Sequence, residues 1–402
     1  MRSNASWLAA GALLTFSSSY GQTFFISIFA GEIRASFGLT HGQWGLIYTL
    51  GTGLSAIVML WAGTLMDKVA LRPLASVVLP LLALACFGMS IAPAAWALLP
   101  VIFLLRFAGQ GMTSQLATVT MARWFRANRG KALSISALGF AVGEMALPIT
   151  FVGLLAFVPW RGLWMLAGAM ALLALPLLLA LLGQARQPQS QSEEGEASGI
   201  DGKHWSRPEV IRHVVFWMYV PMLAGISAFV TALFFQQVHL TEIKAWNHGG
   251  FVALIPTYTL AAIASMIGSG LIIDRYGART LVVVVQLPLV AAFAVFGASA
   301  GMGGAAIAMI SMGLATGANA TVPSALWAEL YGTRHIGAIK ALAAAVMVAG
   351  SAIGPGLSGS LIDAGILFDE QCYWIAAYFL LSTVCVGLAA YRSGSYLPER
   401  RR

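Results

Sequence analysis

The stretch GTLMDKVALR (residues 63–72) returns as GLIIDRYGAR (270–279), 207 residues further along the chain. Gly63, Asp67, Lys68 and Arg72 thus have counterparts in Gly270, Asp274, Arg275 and Arg279. Each copy ends a long apolar run with a glycine, an acid and two bases. The rest of the chain explains why charge is confined to such places. Of 402 residues, 59% are hydrophobic and only 9% charged, with a mean hydropathy of +0.81, whereas a soluble domain carries about 25% charged residues. Water is therefore not the solvent for most of this surface. Apolar runs of about 20 residues have the length of a membrane-crossing helix, and lipid admits only helices or closed barrels. Alternating ten-residue strands are absent, so the sequence predicts an all-α membrane protein.

Twelve transmembrane helices are predicted, at 7–31, 44–66, 73–93, 96–121, 131–157, 162–183, 213–237, 250–273, 280–299, 302–326, 337–361 and 373–391. The one long polar segment, 184–212, falls between the sixth and the seventh. Its part RQPQSQSEEGEASGIDGK is polar and low in complexity and reads as a flexible linker. Ser206-Arg207-Pro208-Glu209 fits a capping box opening a short amphipathic lead-in to the seventh span. The predicted organisation is an N-terminal bundle (1–183), a cytoplasmic linker (184–212) and a C-terminal bundle (213–402).

The net charge of +8 does not point to nucleic acid, because the bases are sorted by side. With loops numbered alternately from the inside, 19 of the 23 lie inside: Arg2, Lys68, Arg72, Arg123, Arg126, Arg129, Lys131, Arg186, Lys203, Arg207, Arg212, Arg275, Arg279, Arg334, Lys340, Arg392 and Arg400 to Arg402. Arg34, Arg161 and Lys244 lie outside, and Arg106 lies within a span. This is the positive-inside rule; it places both termini and the linker in the cytoplasm, in the pattern of a bacterial inner-membrane protein. The first apolar run outlasts a signal peptide and reads as a retained span. Cys86, Cys372 and Cys385 show no metal or redox spacing.

The 207-residue offset continues beyond the opening motif. His41-Gly42 recurs as His248-Gly249, Gly130 as Gly337, Gly143 as Gly350 and Pro148 as Pro355. The chain is a duplicated six-helix unit, the architecture of secondary transporters whose site lies at the repeat interface near mid-membrane.

The two copies resemble the G-x-L-x-D-[RK]-x-G-[RK]-[RK] signature of the major facilitator superfamily, found after helices 2 and 8. The first copy departs at Ala70 and Leu71, whereas the second keeps Gly277. Arg106-Phe-Ala-Gly109-Gln-Gly111 is similar to that family's helix-4 arginine-glycine motif. The resemblance implies two pseudo-symmetric six-helix bundles, with helices 1, 4, 7 and 10 around the cavity and helices 3, 6, 9 and 12 against lipid. The matching spans three, six, nine and twelve carry no charge. Within the superfamily, RWFRANRGKALSISALGFAVGEMALP (123–148) resembles the monocarboxylate and oxalate/formate porter branches. That resemblance implies a small carboxylate substrate, with a proton as candidate partner. The charged residues that eukaryotic monocarboxylate porters carry in helices 1 and 8 are missing here.

In the family, the acid of this motif latches the cytoplasmic side. An acid at a helix end can accept charge-assisted hydrogen bonds from a base or from a helix N-terminus. Arg123, Arg129 and the N-terminus of span eleven near Gly337 are candidate partners of Asp67. Boundary marking alone accounts for the bases but not for two matched acids, since acids contribute little to topology.

An ionisable group at the bilayer centre costs about 2.5–3.5 kcal/mol and is functional by default. Within spans one to six these are Arg106 and Glu144. Arg106 lies 17 residues before Arg123, roughly 25 Å along a helix. Glu144 lies 13 residues after Lys131 and 15 after Arg129, roughly 20–22 Å. They reach similar depth and can pair, either as a static tie or as a substrate-released proton site. Arg106, Gln110 and Thr113 share one α-helical face, and a guanidinium there suits a carboxylate or phosphate. Tyr20, Gln22, Thr23 and Asn319 are further candidate substrate contacts, with interhelical hydrogen bonding as their alternative role. Gln236 and Gln237 close span seven near the outside. His41 and His248 read as capping or packing groups, and Asp363, Asp369 and Glu370 as a solvated outer face.

No metal-ligand cluster, nucleophile motif, cofactor loop or nucleotide domain is found, which argues against an enzyme or a primary pump. The sequence therefore predicts a monomeric secondary transporter of a small organic solute in the lipid bilayer. Efflux of an amphiphilic compound is the alternative within transporters, and a non-transporting sensor the alternative outside them.

Overall fold

The computed structural model describes residues 4–125, 129–183 and 199–394. The side chains of Asp67, Lys68 and Arg129, and linker residues 184–198, lie outside the described set. Among the described residues the chain is helical, with no strand. Eleven helices among the described residues are individually long and apolar enough to cross a membrane. Their cores coincide with predicted spans two to twelve, from His41–Ala62 to Phe368–Ser393.

The first span is built differently. It runs as helix Ala5–Ser18, a 3-10 turn Ser19–Gly21, helix Thr23–Ile26, a second 3-10 turn Ser27–Phe29 and helix Ala30–Phe37. Gln22, at φ −88° and ψ 153°, is extended between two helical pieces. The cluster Ser17-Ser18-Ser19-Tyr20-Gly21-Gln22-Thr23 explains the break. Short polar side chains bond their own backbone and so compete with the helix ladder: Ser17 Oγ donates to Leu13 O and Ser18 Oγ to Thr15 O.

The described residues form two compact units. The first takes the first six spans together with Leu233–His239 and Pro355–Ala364, and the second takes the remainder from Gly199 onward. Two short segments from beyond 212, Leu233–His239 and Pro355–Ala364, thus cluster with the first unit. Within the first unit the first span packs on the fifth, the second on the fourth and the third on the sixth. Within the second, the eighth packs on the tenth and the ninth on the twelfth, repeating two of these pairings. Glycines repeat their duties as well. Gly143 lies against Ser19 of the first span, and Gly350 against the Ala224 backbone of the seventh. Thr40 and Asn247, again 207 apart, cap the helices starting at His41 and His248 by accepting from Gln43 N–H (3.2 Å) and Gly250 N–H (2.7 Å). The two histidines follow the caps and are not caps themselves.

The linker reading needs correction where it is described. GIDGK (199–203) is folded, closed by a Gly199 N–H to Lys203 O bond of 3.0 Å, with Ile200 buried. Trp205 N–H bonds Tyr331 O at 3.1 Å, and its ring packs on His213 and Tyr331. The buried Ile200 and the Trp205 ring hold residues 199–205 against the end of the tenth span. The capping box holds: Glu209 accepts from Ser206 N–H (2.7 Å) and Oγ (2.6 Å) before helix Arg207–Arg212.

Asp363 and Glu370 are exposed, as the sequence reading has it, and two of the three acids also have partners. Asp369 pairs with Lys244 at 3.1 Å, and Asp363 caps the second span, accepting from Thr40 Oγ1 at 2.6 Å and Gly42 N–H at 2.9 Å. A helix N-terminus holds unsatisfied N–H groups that attract a carboxylate, a partner no local pattern announces.

Candidate functional site

The break in the first span faces an irregularity in the fourth. Residues Leu105–Thr113 form a π-helix, a geometry that is rare and concentrated at functional sites. Gly21 and Gly109 let the two irregular segments touch backbone to backbone. A Cβ on Gly21 would lie 2.8 Å from Gly109 Cα and nearer still to the Leu105 carbonyl oxygen.

Arg106 lies at this contact and is 1% exposed. Its Nη1 donates to Gly21 O at 3.0 Å and to Thr23 Oγ1 at 3.4 Å. Its guanidinium carbon stands 5.3 Å from the Tyr48 ring centroid, within cation–π range. Thr23 Oγ1 and Tyr48 Oη are 2.5 Å apart, which closes a ring of contacts among the first, second and fourth spans. Nε and Nη2 have no hydrogen-bond partner. They form one edge of the guanidinium, the edge that can hold a carboxylate with two parallel bonds.

The predicted tie between Arg106 and Glu144 is not formed: the guanidinium spends its bonds on Gly21 and Thr23. Glu144 is buried on the fifth span. Thr113 is not a companion of Arg106 either. Its hydroxyl donates to Ala108 O at 2.7 Å, and a π-helix has more residues per turn, so the shared α-helical face is lost. Gln110 and Gln22 are half-buried in the two irregular segments. Tyr20 turns into an aromatic core, edge-on to Phe16 and Phe25, which continues through Phe151 and Trp164. Asn319 belongs to the second unit, buried on helix Met302–Tyr331 with Oδ1 lacking a hydrogen-bond partner. Gln237 donates to Ser27 Oγ at 2.8 Å.

Sequence reasoning missed Tyr48. The signal available was the stripe Trp44, Tyr48, Thr52 and Ser55, all buried at helical spacing.

At the motif turns, Arg123 Nη1 donates to Met66 O at 2.7 Å, beside Asp67. Arg72 Nη2 donates to Leu182 O. Gly63 ends the second span's helix at Met59 O (2.9 Å), and Gly270 has open space around it. In the second copy Asp274 and Arg275 are exposed, with Arg275 over the Tyr276 ring at 5.4 Å. The acid at the start of the ninth span is instead Glu329, which accepts from Ala278 N–H (3.0 Å) and Arg279 N–H (3.3 Å). The departure at Ala70 now has a cause. Gly277 sits at φ 83° and ψ 156°, a region open essentially to glycine alone. Ala70 is ordinary extended backbone, φ −66° and ψ 157°, so the first copy needs no glycine.

Among known proteins, the family model described as Major Facilitator Superfamily matches residues 11–309. An uncharacterized protein of Mycobacterium tuberculosis (strain ATCC 25618 / H37Rv) is 27% identical over 361 residues, covering 84% of this chain and 82% of its own. One from Mycobacterium bovis matches to the same extent. A solved bacterial homolog of the human lysosomal transporter Spinster, inward-facing and unoccupied, has TM-score 0.71 at 16% identity over 98% of each chain. The nucleoside transporter NupG has TM-score 0.71 at 14% identity, over 97% of this chain and 99% of its own. The model match spans most of the chain and both copies of the 63–72 motif: this multi-pass integral membrane protein belongs to the major facilitator superfamily and is a transporter.

Proposed function

We propose that this transporter is a secondary carrier for a small organic carboxylate, working by alternating access with a proton moving alongside. The observation that carries the reading is the guanidinium of Arg106, buried with Nε and Nη2 unspent. Leaving charged donors unsatisfied costs more than the about 1–3 kcal/mol of a neutral group. An anion arriving at that edge recovers this cost. Because Nη1 is already committed to Gly21 and Thr23, one carboxylate saturates the site, which favours a single acidic head.

Gln22 and Gln110, half-buried in the two irregular segments, are the proposed neutral hydrogen-bonding groups beside it, and Asn319 is kept as a further proposed substrate contact. Glu144, buried on the fifth span, is the proposed proton carrier. Gly63, Asp67, Lys68, Arg72, Arg123 and Arg129, with Gly270, Asp274, Arg275 and Arg279, form the proposed cytoplasmic gate. The carrier works as a monomer in the bacterial inner membrane with both termini inside.

The test is a thermal-shift screen of purified protein against small mono- and dicarboxylates and against amphiphilic cations. Stabilisation by monocarboxylates that disappears in Arg106→Gln is expected. Equal stabilisation of the variant, or a response to cations alone, refutes the anion reading. In proteoliposomes with a pH dye, Glu144→Gln should lose proton movement while keeping exchange; unchanged coupling removes Glu144 from the scheme.

A further inference from the structure

The first unit includes Leu233–His239 of the seventh span and Pro355–Ala364 of the eleventh. Both segments meet the start of the second span, on the face that the charge pattern assigns to the outside. Glycines bring the backbones together there. A Cβ on Gly42 would lie 3.3 Å from Ser360 Cα, and one on Gly359 would lie 2.8 Å from the His41 carbonyl carbon. Asp363 clamps the helix start through Thr40 and Gly42, and Trp44 stacks on Phe235.

His41 is at the centre of this closure. Its Nε2 lies 2.9 Å from Arg34 Nη1 and its Nδ1 lies 3.4 Å from Gln236 Oε1. A guanidinium only donates, so Nε2 must present its lone pair and Nδ1 must carry the hydrogen that faces Gln236. The His239 ring stands edge-on at 4.5 Å between centroids. The charged and titratable groups facing His41 are Arg34 from the end of the first span, His239 from the seventh and Asp363 from the eleventh. A proton on Nε2 removes the acceptor that Arg34 uses and sets two cations against each other at hydrogen-bond distance. Asp363 offers limited relief, since it already serves Thr40 and Gly42.

We propose that His41 is a proton-binding site of the outer gate, and that a proton arriving there from outside releases the second span from the outer ends of the seventh and eleventh. The closed arrangement is favoured while His41 is neutral and is lost as the outside pH falls through the imidazole range. The inference stands apart from the anion reading, because it needs no substrate.

The test uses the full chain in nanodiscs, with Cys86, Cys372 and Cys385 replaced and spin labels on cysteines at Ala35 and Ala364, both exposed. Pulsed electron resonance reads the distance between pH 8 and pH 5. A short distance at pH 8 should give way to a longer one in acid, with the open-to-closed ratio rising at least tenfold. His41→Gln, which keeps an acceptor for Arg34 but cannot titrate, should hold the short distance at both ends. Arg34→Gln, which takes away the opposing cation, should reduce the acid response to a small fraction of the wild-type one, which decides the matter even if the histidine variant folds poorly. A wild type indifferent to pH, a His41→Gln variant that still opens, or an Arg34→Gln variant with the full wild-type response overturns the proposal.

Discussion

Gly21→Ala adds one methyl group where the structure has no room for it. The new carbon would stand 2.8 Å from Gly109 Cα and 3.0 Å from Gln110 N, against an ordinary carbon contact of about 3.5–4.0 Å. The first and fourth spans must then part by roughly 1 Å to restore that separation. Both obstacles are backbone, so no rotamer change relieves them. Overpacking costs about 1–3 kcal/mol, and this case belongs at the upper end. The parting also stretches the 3.0 Å bond from Arg106 to Gly21 O, of a kind worth about 1.5–3 kcal/mol. The two losses share one displacement and do not add, so about 3 kcal/mol is expected. Gly53→Ala is the control, because a Cβ there meets nothing within 4 Å and a helix interior gains about 0.5–1 kcal/mol from the exchange. Reversible unfolding of the purified protein in mixed micelles measures both. Gly109→Ala drives the same wedge from the other side, and the double variant should cost little more than either single one. A Gly21→Ala protein as stable as Gly53→Ala would refute the backbone contact on which the site is built.

Other expectations follow from the termini and gates. Asp67→Asn should leave expression intact and cut transport strongly in proteoliposome flux, since the change removes charge and keeps shape. Gly277→Ala should lose about 1–3 kcal/mol in the same unfolding assay, because its backbone region excludes a Cβ, whereas Ala70→Gly should lose less than about 1 kcal/mol. Glu329→Gln weakens the carboxylate at the start of the ninth span and should cost about 0.5–2 kcal/mol. Glu209 is held down to about 2 by its hydrogen bonds from Ser206 and by Lys203. Its contribution is complete above the ordinary value of 4.5 and fades as pH falls from there toward 2. Amide exchange in Arg207–Arg212 should therefore accelerate over that interval, and the acceleration should vanish in Glu209→Gln.

Hydropathy and charge act residue by residue and add along the chain. For that reason the membrane class, the helical architecture and the positions of spans two to twelve were all legible in the sequence. The capping box at Ser206 and the buried Arg106 and Glu144 were legible for the same reason, as local patterns or local violations of one. The partners were not. Arg106 meets Gly21, Thr23 and Tyr48 only because two glycines on different spans let irregular backbones touch, and no single span encodes that approach. Asp363 is exposed, as read, but its bonds to the second span's helix start were not legible, and Glu329 had no role until the ninth span began beside it. His41 drew its partners from three different spans. Which elements a chain forms is set by energies that each segment carries alone. Which donor meets which acceptor is decided by pairwise contacts between distant segments, and these exist only once the helices have packed.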